Sequence, residues 1–496
     1  MKKKKPVTPD QKTDTNQIAE SLERYRPYLA GSELLSLTAE IEQPLLPAIR
    51  ANCLKTNPIS AIDEWQRLYG WEIKKIPYYP YGWQIVNSER PISQTVEHRM
   101  GEYYIQDAAS MLPVAMFDIE NQPGQFILDM AASPGGKTTQ LVDLTGDRSF
   151  VLANDSSTSR LQALRIVLQN WGAVNYFSTN FAGEKLGEWF PETFDVILLD
   201  APCSMENLRP SPTHPLRPIT VSERHRLSQR QSNLLISAFK ALKPGGQLVY
   251  ATCTLAPEED EAVLDFLLRT HPSQTEIIGL NKLNFHAPGL SEFNGIQYNA
   301  SVKNALRLWP HILGTSGFFA ARIGKKSSLA LSNESAPARD FSLTGLVEIN
   351  AREASAIQSS LSDAYGLNLE KILEKYQLAI FRRNDMLFLL PLRYLTYFQS
   401  LPFHTLGMIL AKYSGSSLIL SQEFISRFGR DFSRGFITIE DELVHGWLSG
   451  RDIRNFNPPS MLNGSIVLVK DFRGRILGSG KILAGRVRNL LPKRLI

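Results

Sequence analysis

From Phe126 to Thr252 the chain repeats one pattern, a short apolar strand followed by an amphipathic helix, and that alternation permits few folds. Phe126-Ile-Leu-Asp-Met130 reads as a first strand, followed by a Gly-rich turn and a helix from about Lys137. Phe150-Val-Leu-Ala-Asn154 is a second strand, and the helix after it, 157–170, carries Leu161, Leu164 and Leu168 on one stripe. Further strands are predicted at 174–178, 194–199 and 246–252. A helix from Ser222 ends at Lys243-Pro-Gly-Gly246, a strong stop. Parallel strands need crossover helices, so the prediction is an α/β fold: a doubly wound, mostly parallel sheet with helices on both faces.

At 496 residues the chain exceeds one core, and composition suggests its divisions. A polar tail at 1–17 is expected to be disordered, and an N-terminal α+β extension spans 18–115. The doubly wound domain spans 116–324. Gly324-Lys-Lys-Ser-Ser328 and Ser332-Asn-Glu-Ser-Ala-Pro-Ala338 mark a linker at 325–342, before a small mixed domain at 343–405 and a β domain at 406–496. The aromatic stretch from Trp71 to Trp83 suits packing around turns better than base stacking. No apolar run approaches the roughly 20 residues of a membrane span. Met1-Lys-Lys-Lys-Lys5 is followed by Pro-Val-Thr-Pro-Asp-Gln, not the apolar run of a signal peptide. A soluble, cytoplasmic protein with no membrane partner is expected. Cys53, Cys203 and Cys253 are too far apart for a disulfide framework and lack metal-ligand spacing, so no metal is expected. The net charge is only +5, but Lys470, Arg473, Arg475, Lys481, Arg486, Arg488, Lys493 and Arg494 face a single acid, Asp471, at the C-terminal end. That end is either a solvated basic face or a phosphate-contacting patch.

In a doubly wound sheet ligands bind outside the carboxyl ends of the strands, where the strand order reverses. Asp129-Met-Ala-Ala-Ser-Pro-Gly-Gly-Lys-Thr-Thr-Gln140 forms the first such turn, with Gly135 and Gly136 letting backbone approach a ligand. A triphosphate-binding loop needs Gly at position 131; the chain has Ala131, and it lacks the dinucleotide fingerprint as well. Asp155 closes the second strand, where a carboxylate accepts both hydroxyls of a ribose. A ribose-bearing cofactor without a pyrophosphate fits, and S-adenosylmethionine has that shape.

Asp195-Val-Ile-Leu-Leu-Asp-Ala-Pro-Cys-Ser204 puts Asp200 and Cys203 in one short loop, followed by Pro210, Pro212, Pro215 and Pro218. Tyr250-Ala-Thr-Cys-Thr-Leu-Ala-Pro-Glu-Glu-Asp260 delivers Cys253 to the same sheet edge. A lone cysteine is ordinarily a small buried hydrophobe, but two beside a carboxylate and a cofactor pocket suggest chemistry. Carbon 5 of cytosine is a poor nucleophile until a thiolate adds to carbon 6. A carboxyl group on ring nitrogen 3 and the amino group assists that addition, which suggests Asp200. A second cysteine can serve release of the product; spacing alone leaves open which thiol attacks.

Residues from about 48 to 323 resemble the Sun-type (nucleolar-protein/Fmu) RNA cytosine-5 methyltransferases. The matching stretches are Arg50-Ala-Asn-Cys-Leu-Lys55, Tyr104-Ile-Gln-Asp-Ala-Ala-Ser110, residues 129–138, Asp200-Ala-Pro-Cys-Ser204, Thr252-Cys-Thr-Leu-Ala-Pro-Glu-Glu259 and Gly317-Phe-Phe-Ala-Ala321. The resemblance implies a Rossmann-like class I core that binds S-adenosylmethionine. Ala131, Ala132, Ser133, Pro134, Gly135, Gly136 and Lys137 would wrap its methionine side and Asp155 its ribose, with Asp200 between cofactor and base. On the adenine side, where the family's acid is missing, either Asn180 substitutes for it or cofactor affinity is weakened. The RNA family attacks with the Thr-Cys cysteine and DNA cytosine methyltransferases with the Pro-Cys one. The resemblance therefore implies Cys253 as nucleophile and Cys203 as the release residue. The C-terminal third is similar to the tail of the bacterial small-subunit rRNA branch, a small domain and a PUA-like RNA-binding domain, through Gly464-Ser-Ile-Val-Leu-Val-Lys470, Gly478-Ser-Gly-Lys481 and Leu491-Pro-Lys-Arg494. It implies 16S rRNA or the small ribosomal subunit as partner, not DNA; a monomer is expected. The same chemistry on tRNA and a non-catalytic RNA-binding assembly factor are the alternatives. Two positions depart from the family: Met205 stands where Gly is common, and Ala182 where an acid meets the adenine, with Asn180 the nearest polar group. Cys53 is expected to be a packed core residue.

Overall fold

The computed structural model describes residue 18 and residues 22–120, 122–209, 217–279, 285, 287–330, 334–415, 417–455 and 463–492. The tail at 1–17, Pro210, Pro212, Pro215, Lys493 and Arg494 lie outside the described residues. The first sheet is antiparallel: β1 (Ala48–Ala51), β2 (Glu72–Lys75), β3 (Gly82–Asn87) and β4 (Tyr103–Ile105), in the order β2-β3-β1-β4. Trp71, Trp83 and Tyr103 are buried with Trp65, and the Trp65 and Tyr103 ring centroids lie 5.0 Å apart. Tyr78 and Tyr79 are buried as well, so these rings pack rather than offer a stacking surface.

The central sheet follows the alternation. Strands β5 (Phe126–Asp129), β6 (Phe150–Asn154), β7 (Tyr176–Thr179), β8 (Phe194–Asp200) and β9 (Leu242–Thr252) are parallel in the order β7-β6-β5-β8-β9. Strand Phe318–Lys325 then runs antiparallel beside β9, with β10 (Thr275–Ile278) outside it. Alternate residues of each strand face opposite layers. Ile127, Val151, Val196 and Leu198 pack with Leu161, Leu164 and Leu168 of helix Thr158–Trp171. Leu128, Leu152, Ile197 and Leu199 face Leu234, Leu235, Phe239, Leu264 and Leu267, from helices Val221–Ala241 and Glu261–Thr270. Strand order reverses at β5, which pairs with both β6 and β8.

Three details differ from the sequence reading. Lys243-Pro-Gly-Gly246 is not a connecting loop; β9 begins at Leu242, and Gly246 presses so close to the Asp195 carbonyl that a Cβ there would lie 2.8 Å from it. Lys325 belongs to its strand rather than to a linker. It is buried, and its ammonium donates to the Leu242 and Phe239 carbonyls at 2.8 and 3.2 Å. The boundary expected at 405/406 falls inside a structural unit. Strands Val347–Glu348, Leu378–Arg383, Met386–Pro391, Met408–Ser414 and Ser417–Leu420 form one sheet, while Thr405–Leu406 extends the central sheet antiparallel to β7. A last five-stranded sheet comprises Phe436–Ile439, Ile466–Asp471, Ile476–Leu483, Arg486–Asn489 and Ile453–Arg454.

One side chain fastens the first sheet to the central domain. Arg50, wholly buried on β1, donates to Asp143 Oδ2 at 2.7 Å, Thr139 Oγ1 at 2.6 Å, the Gly136 carbonyl at 3.1 Å and Gln106 Oε1 at 3.1 Å. Its guanidinium lies 4.3 Å from a Trp171 ring centroid. Removing one partner of a buried pair leaves an uncompensated charge. Arg50→Met is expected to destabilise the protein by about 3–5 kcal/mol in urea unfolding, and adding Asp143→Leu to restore much of the loss.

Candidate active site

The carboxyl ends of β5, β6, β8 and β9 open onto two adjoining clefts that share Ala131, Ser133 and Asp200. One, of about 520 Å³, is lined by Tyr104 and Gln106 of the first sheet and by Asp129, Ala132, Pro134, Gly136 and Lys137. The other, of about 550 Å³, holds Asp155, Arg160, Cys203, Arg230 and Cys253. Gly135, at φ +114, turns the chain into helix Gly136–Leu144. A Cβ there would lie 3.0 Å from Val167 Cγ1, and one at Gly136 would lie 2.9 Å from Tyr104 Cε1. The missing side chains therefore serve packing within the protein as well as the open turn.

Asp129 is buried; its Oδ2 accepts from Thr138 Oγ1 at 2.7 Å, while its Oδ1 has no hydrogen-bond partner. Burial pushes this carboxyl up to about 7, against the Thr138 hydrogen bond. The buried Ser133 hydroxyl lacks a partner too. These orphaned atoms suit a small polar ligand in the cleft, since buried polar groups otherwise find partners. Asp155 is fixed by the backbone N–H groups of Ser133, at 3.1 Å, and Ser157, at 2.8 Å, which leaves free lone pairs on both oxygens. Asn180 lines neither cleft. Its amide donates to the Asp155 carbonyl at 2.7 Å and accepts from Thr158 Oγ1 at 2.9 Å, which ties together the ends of β6 and β7.

Lys137 and Asp200 form an ion pair at 2.7 Å. Burial lowers the pKa of the Lys137 ammonium, but Asp200 outweighs it and the net shift is upward. The parallel register pairs Asp200 with Ala251, which brings the two following loops side by side. Cys203 Sγ and Cys253 Sγ lie 3.1 Å apart, both half-buried. The next residues are linked as well, Ser204 Oγ to Thr254 Oγ1 at 3.0 Å. Cys53 is remote from this pair and is not a fully packed core residue. It is half-buried in the wall of a separate cleft of about 640 Å³ with Tyr78, Tyr79 and Phe117, where burial pushes its thiol up.

The sequence pattern described as 16S rRNA methyltransferase RsmB/F matches residues 116–324. Ribosomal RNA small subunit methyltransferase F of Aeromonas hydrophila is 32% identical over 462 residues, covering 92% of this chain and 92% of that protein. The chain belongs to this family. The protein of the same name from Shewanella oneidensis is 32% identical over 474 residues, covering 95% and 94% of the two chains. A solved methyltransferase homolog from Pyrococcus horikoshii has 31% identity and a TM-score of 0.55, covering 65% of this chain and 100% of its own. The central domain is thus the Rossmann-like core of class I methyltransferases, with additional β units after it.

The sequence places Asp129 and Glu259 within the quoted motifs but assigns neither a role of its own, and it does not single out Gln231; Gln231 and Glu259 are both buried behind the Cys203 loop. A carboxylate in an otherwise apolar strand was the available signal for Asp129; nothing local marks Gln231. The first family departure has a backbone meaning. Met205 adopts φ +63, the left-handed region that favours Gly, and its side chain is 38% exposed. Met205→Gly is expected to stabilise the protein by about 1 kcal/mol, read as a raised thermal midpoint.

Proposed function

We propose that this chain methylates carbon 5 of a cytosine in small-subunit 16S rRNA, with Cys253 as nucleophile, Cys203 as release residue and Asp200 orienting the base. The observation that carries this reading is the pair of thiols 3.1 Å apart at the ends of neighbouring strands, beside the Lys137–Asp200 pair. The methyl donor is S-adenosylmethionine, which supplies an electrophilic methyl group when bound. Asp129 and the turn from Ala131 to Lys137 would hold its amino acid end, and Asp155 its ribose. Asn180, with its amide engaged, would bound the adenine side through backbone alone.

The target base must leave its stack to reach Cys253. The Cys253 thiolate forms a bond to carbon 6, and the displaced electron pair makes carbon 5 nucleophilic toward the methyl group. Asp200, held by Lys137, would meet ring nitrogen 3 and the amino group of the base. At release the carbon 5 proton passes to the Cys203 sulfur as that residue gives its own proton to the Cys253 sulfur. The C–H electron pair forms the 5,6 double bond, the carbon 6–sulfur pair leaves with Cys253, and one proton passes to solvent as Cys253 ionises again.

RNA contact is assigned to the first sheet and to the last, PUA-like, β unit. Not every basic residue of that unit is available: Arg475 is half-buried and paired with Glu97 and Asp471, which makes it a tie between domains. Arg486 is paired with Asp452 at 3.4 Å. Among the described residues, no helix is long and apolar enough to cross a membrane.

A denaturing gel of protein incubated with S-adenosylmethionine and total RNA tests the reading. Cys203→Ala should accumulate an RNA-linked band that wild type clears and that Cys253→Ala cannot form. An adduct without Cys253, or no methyl transfer by wild type, would sink it; sequencing the trapped RNA names the substrate. A second expectation concerns pH. The cofactor's ammonium needs Asp129 ionised, so affinity should rise about eightfold from pH 6 to 7.5 as the competent fraction grows. Calorimetry should find that rise absent in Asp129→Asn.

A further inference from the structure

Two thiols of one chemical type share one cleft, and the reading above, on which this inference rests, needs only one of them to be ionised at the attack on the base. The charged groups behind them are unequal. Glu259, wholly buried in the turn after β9, accepts at Oε2 from the Ser204 backbone N–H at 3.0 Å and from Gln231 Nε2 at 2.8 Å. The same Gln231 amide donates to the Pro202 carbonyl at 2.8 Å. The residues on both sides of Cys203 are thus clamped by one Gln–Glu pair, reaching in from helix Val221–Ala241 and from the β9 turn. Glu259 Oε1 has no partner. The Cys253 thiolate favours the charged form of the Lys137 ammonium, whose own partner is Asp200 at 2.7 Å.

We propose that Glu259, positioned by Gln231, selects between the thiols: its carboxylate keeps Cys203 protonated and leaves Cys253 as the sulfur that attacks. Glu259 is a positioning residue, since it reaches the substrate only through the Cys203 loop. The other charged groups around that loop do not reverse the bias. Glu206, on the same loop, is neutralised by Arg224 at 2.6 Å, and Arg24 lies 3.6 Å from it. Asp200 is paired with Lys137, Arg230 with Glu184 at 3.3 Å, and Arg160 lies 3.7 Å from Asp155. Consistent with the geometry, the hydrogen bond to Cys253, burial and the charges of Cys253 and Glu259 push the Cys203 thiol well above the usual range. Burial raises the Glu259 carboxyl above the usual carboxylate range on balance, opposed by its hydrogen bonds from Ser204 and Gln231, which favour the anion. The device also suits release, because a protonated Cys203 can hand its proton to the departing sulfur.

The test reads thiols directly and needs no methyl transfer. Iodoacetamide alkylation of Cys203, resolved from Cys53 by peptide mass, is followed from pH 6.5 to 10.5 in the full chain carrying Cys253→Ala. Glu259 is intact, Glu259→Gln or Glu259→Asp. With Glu259 intact the Cys203 midpoint should lie above the roughly 8.5 of a free thiol. Glu259→Gln should lower it by about one pH unit, so that alkylation at pH 8 is about tenfold faster, whereas Glu259→Asp keeps the charge and the high midpoint. A midpoint at or below about 8.5 with Glu259 intact overturns the proposal, whether or not Glu259→Gln folds. An unchanged midpoint in a folded Glu259→Gln protein does the same. Failure of the methylation reading would appear instead in the RNA adduct gel, with this titration unaffected.

Discussion

The Arg50 guanidinium is the contact on which the active site's geometry depends. It holds a carboxylate, a hydroxyl and a carbonyl of helix Gly136–Leu144, and so locks that helix against β1. The helix begins at the turn that forms the floor of the cleft. The first sheet in turn supplies Tyr104 and Gln106 to the cleft wall. A planar, always-charged fork with several donors in fixed directions can satisfy such a set of acceptors; a lysine cannot. The same short element continues the fastening. Asn52 donates to the Gly101 and Trp171 carbonyls, and Lys55 to the Met100 and Asn170 carbonyls and Ser426 Oγ.

The C-terminal units are built onto this body by similar buried polar ties. Thr405–Leu406 adds an edge strand to β7, covering backbone groups that would otherwise be exposed. Arg427 donates to the Leu54 carbonyl and the Tyr376 hydroxyl, and its side chain fills the space that Gly172 leaves open. Arg475 joins the last sheet to Glu97 of the N-terminal extension. These contacts set where an RNA bound by the flanking units would stand relative to the thiols.

Under the proposed mechanism, the chemistry at the cleft depends on equal residues being made unequal by their surroundings. Both cysteines lie at strand ends, half-buried and in contact. In the proposed selection the Glu259 carboxylate behind the Cys203 loop supplies the difference, and low solvent access keeps it from being screened.

Much of the fold was legible in the sequence, because strand and helix periodicities are local: the runs at Phe126, Phe150 and Phe194 and the Leu161, Leu164, Leu168 stripe all appear where their patterns put them. The convergence of Cys203 and Cys253 was legible for a related reason, since parallel strands deliver their following loops to one edge. Element ends were less certain: the Pro-Gly-Gly stretch before β9 reads as a stop, yet continues as strand beside Asp195. Composition suggested a domain break at 405/406, but hydrogen bonding across the chain joined strands on both sides of it into one sheet. Only the tertiary structure assigned Asn180 to a structural amide, Arg475 to a domain tie and Glu259 to the back of the Cys203 loop. The sequence by itself determined the sheet and which residues reach its active edge, because periodicity and connection rules act over short distances. Which polar groups remain free for a ligand was decided only on folding, because a hydrogen bond to a residue far along the chain leaves no trace in local pattern.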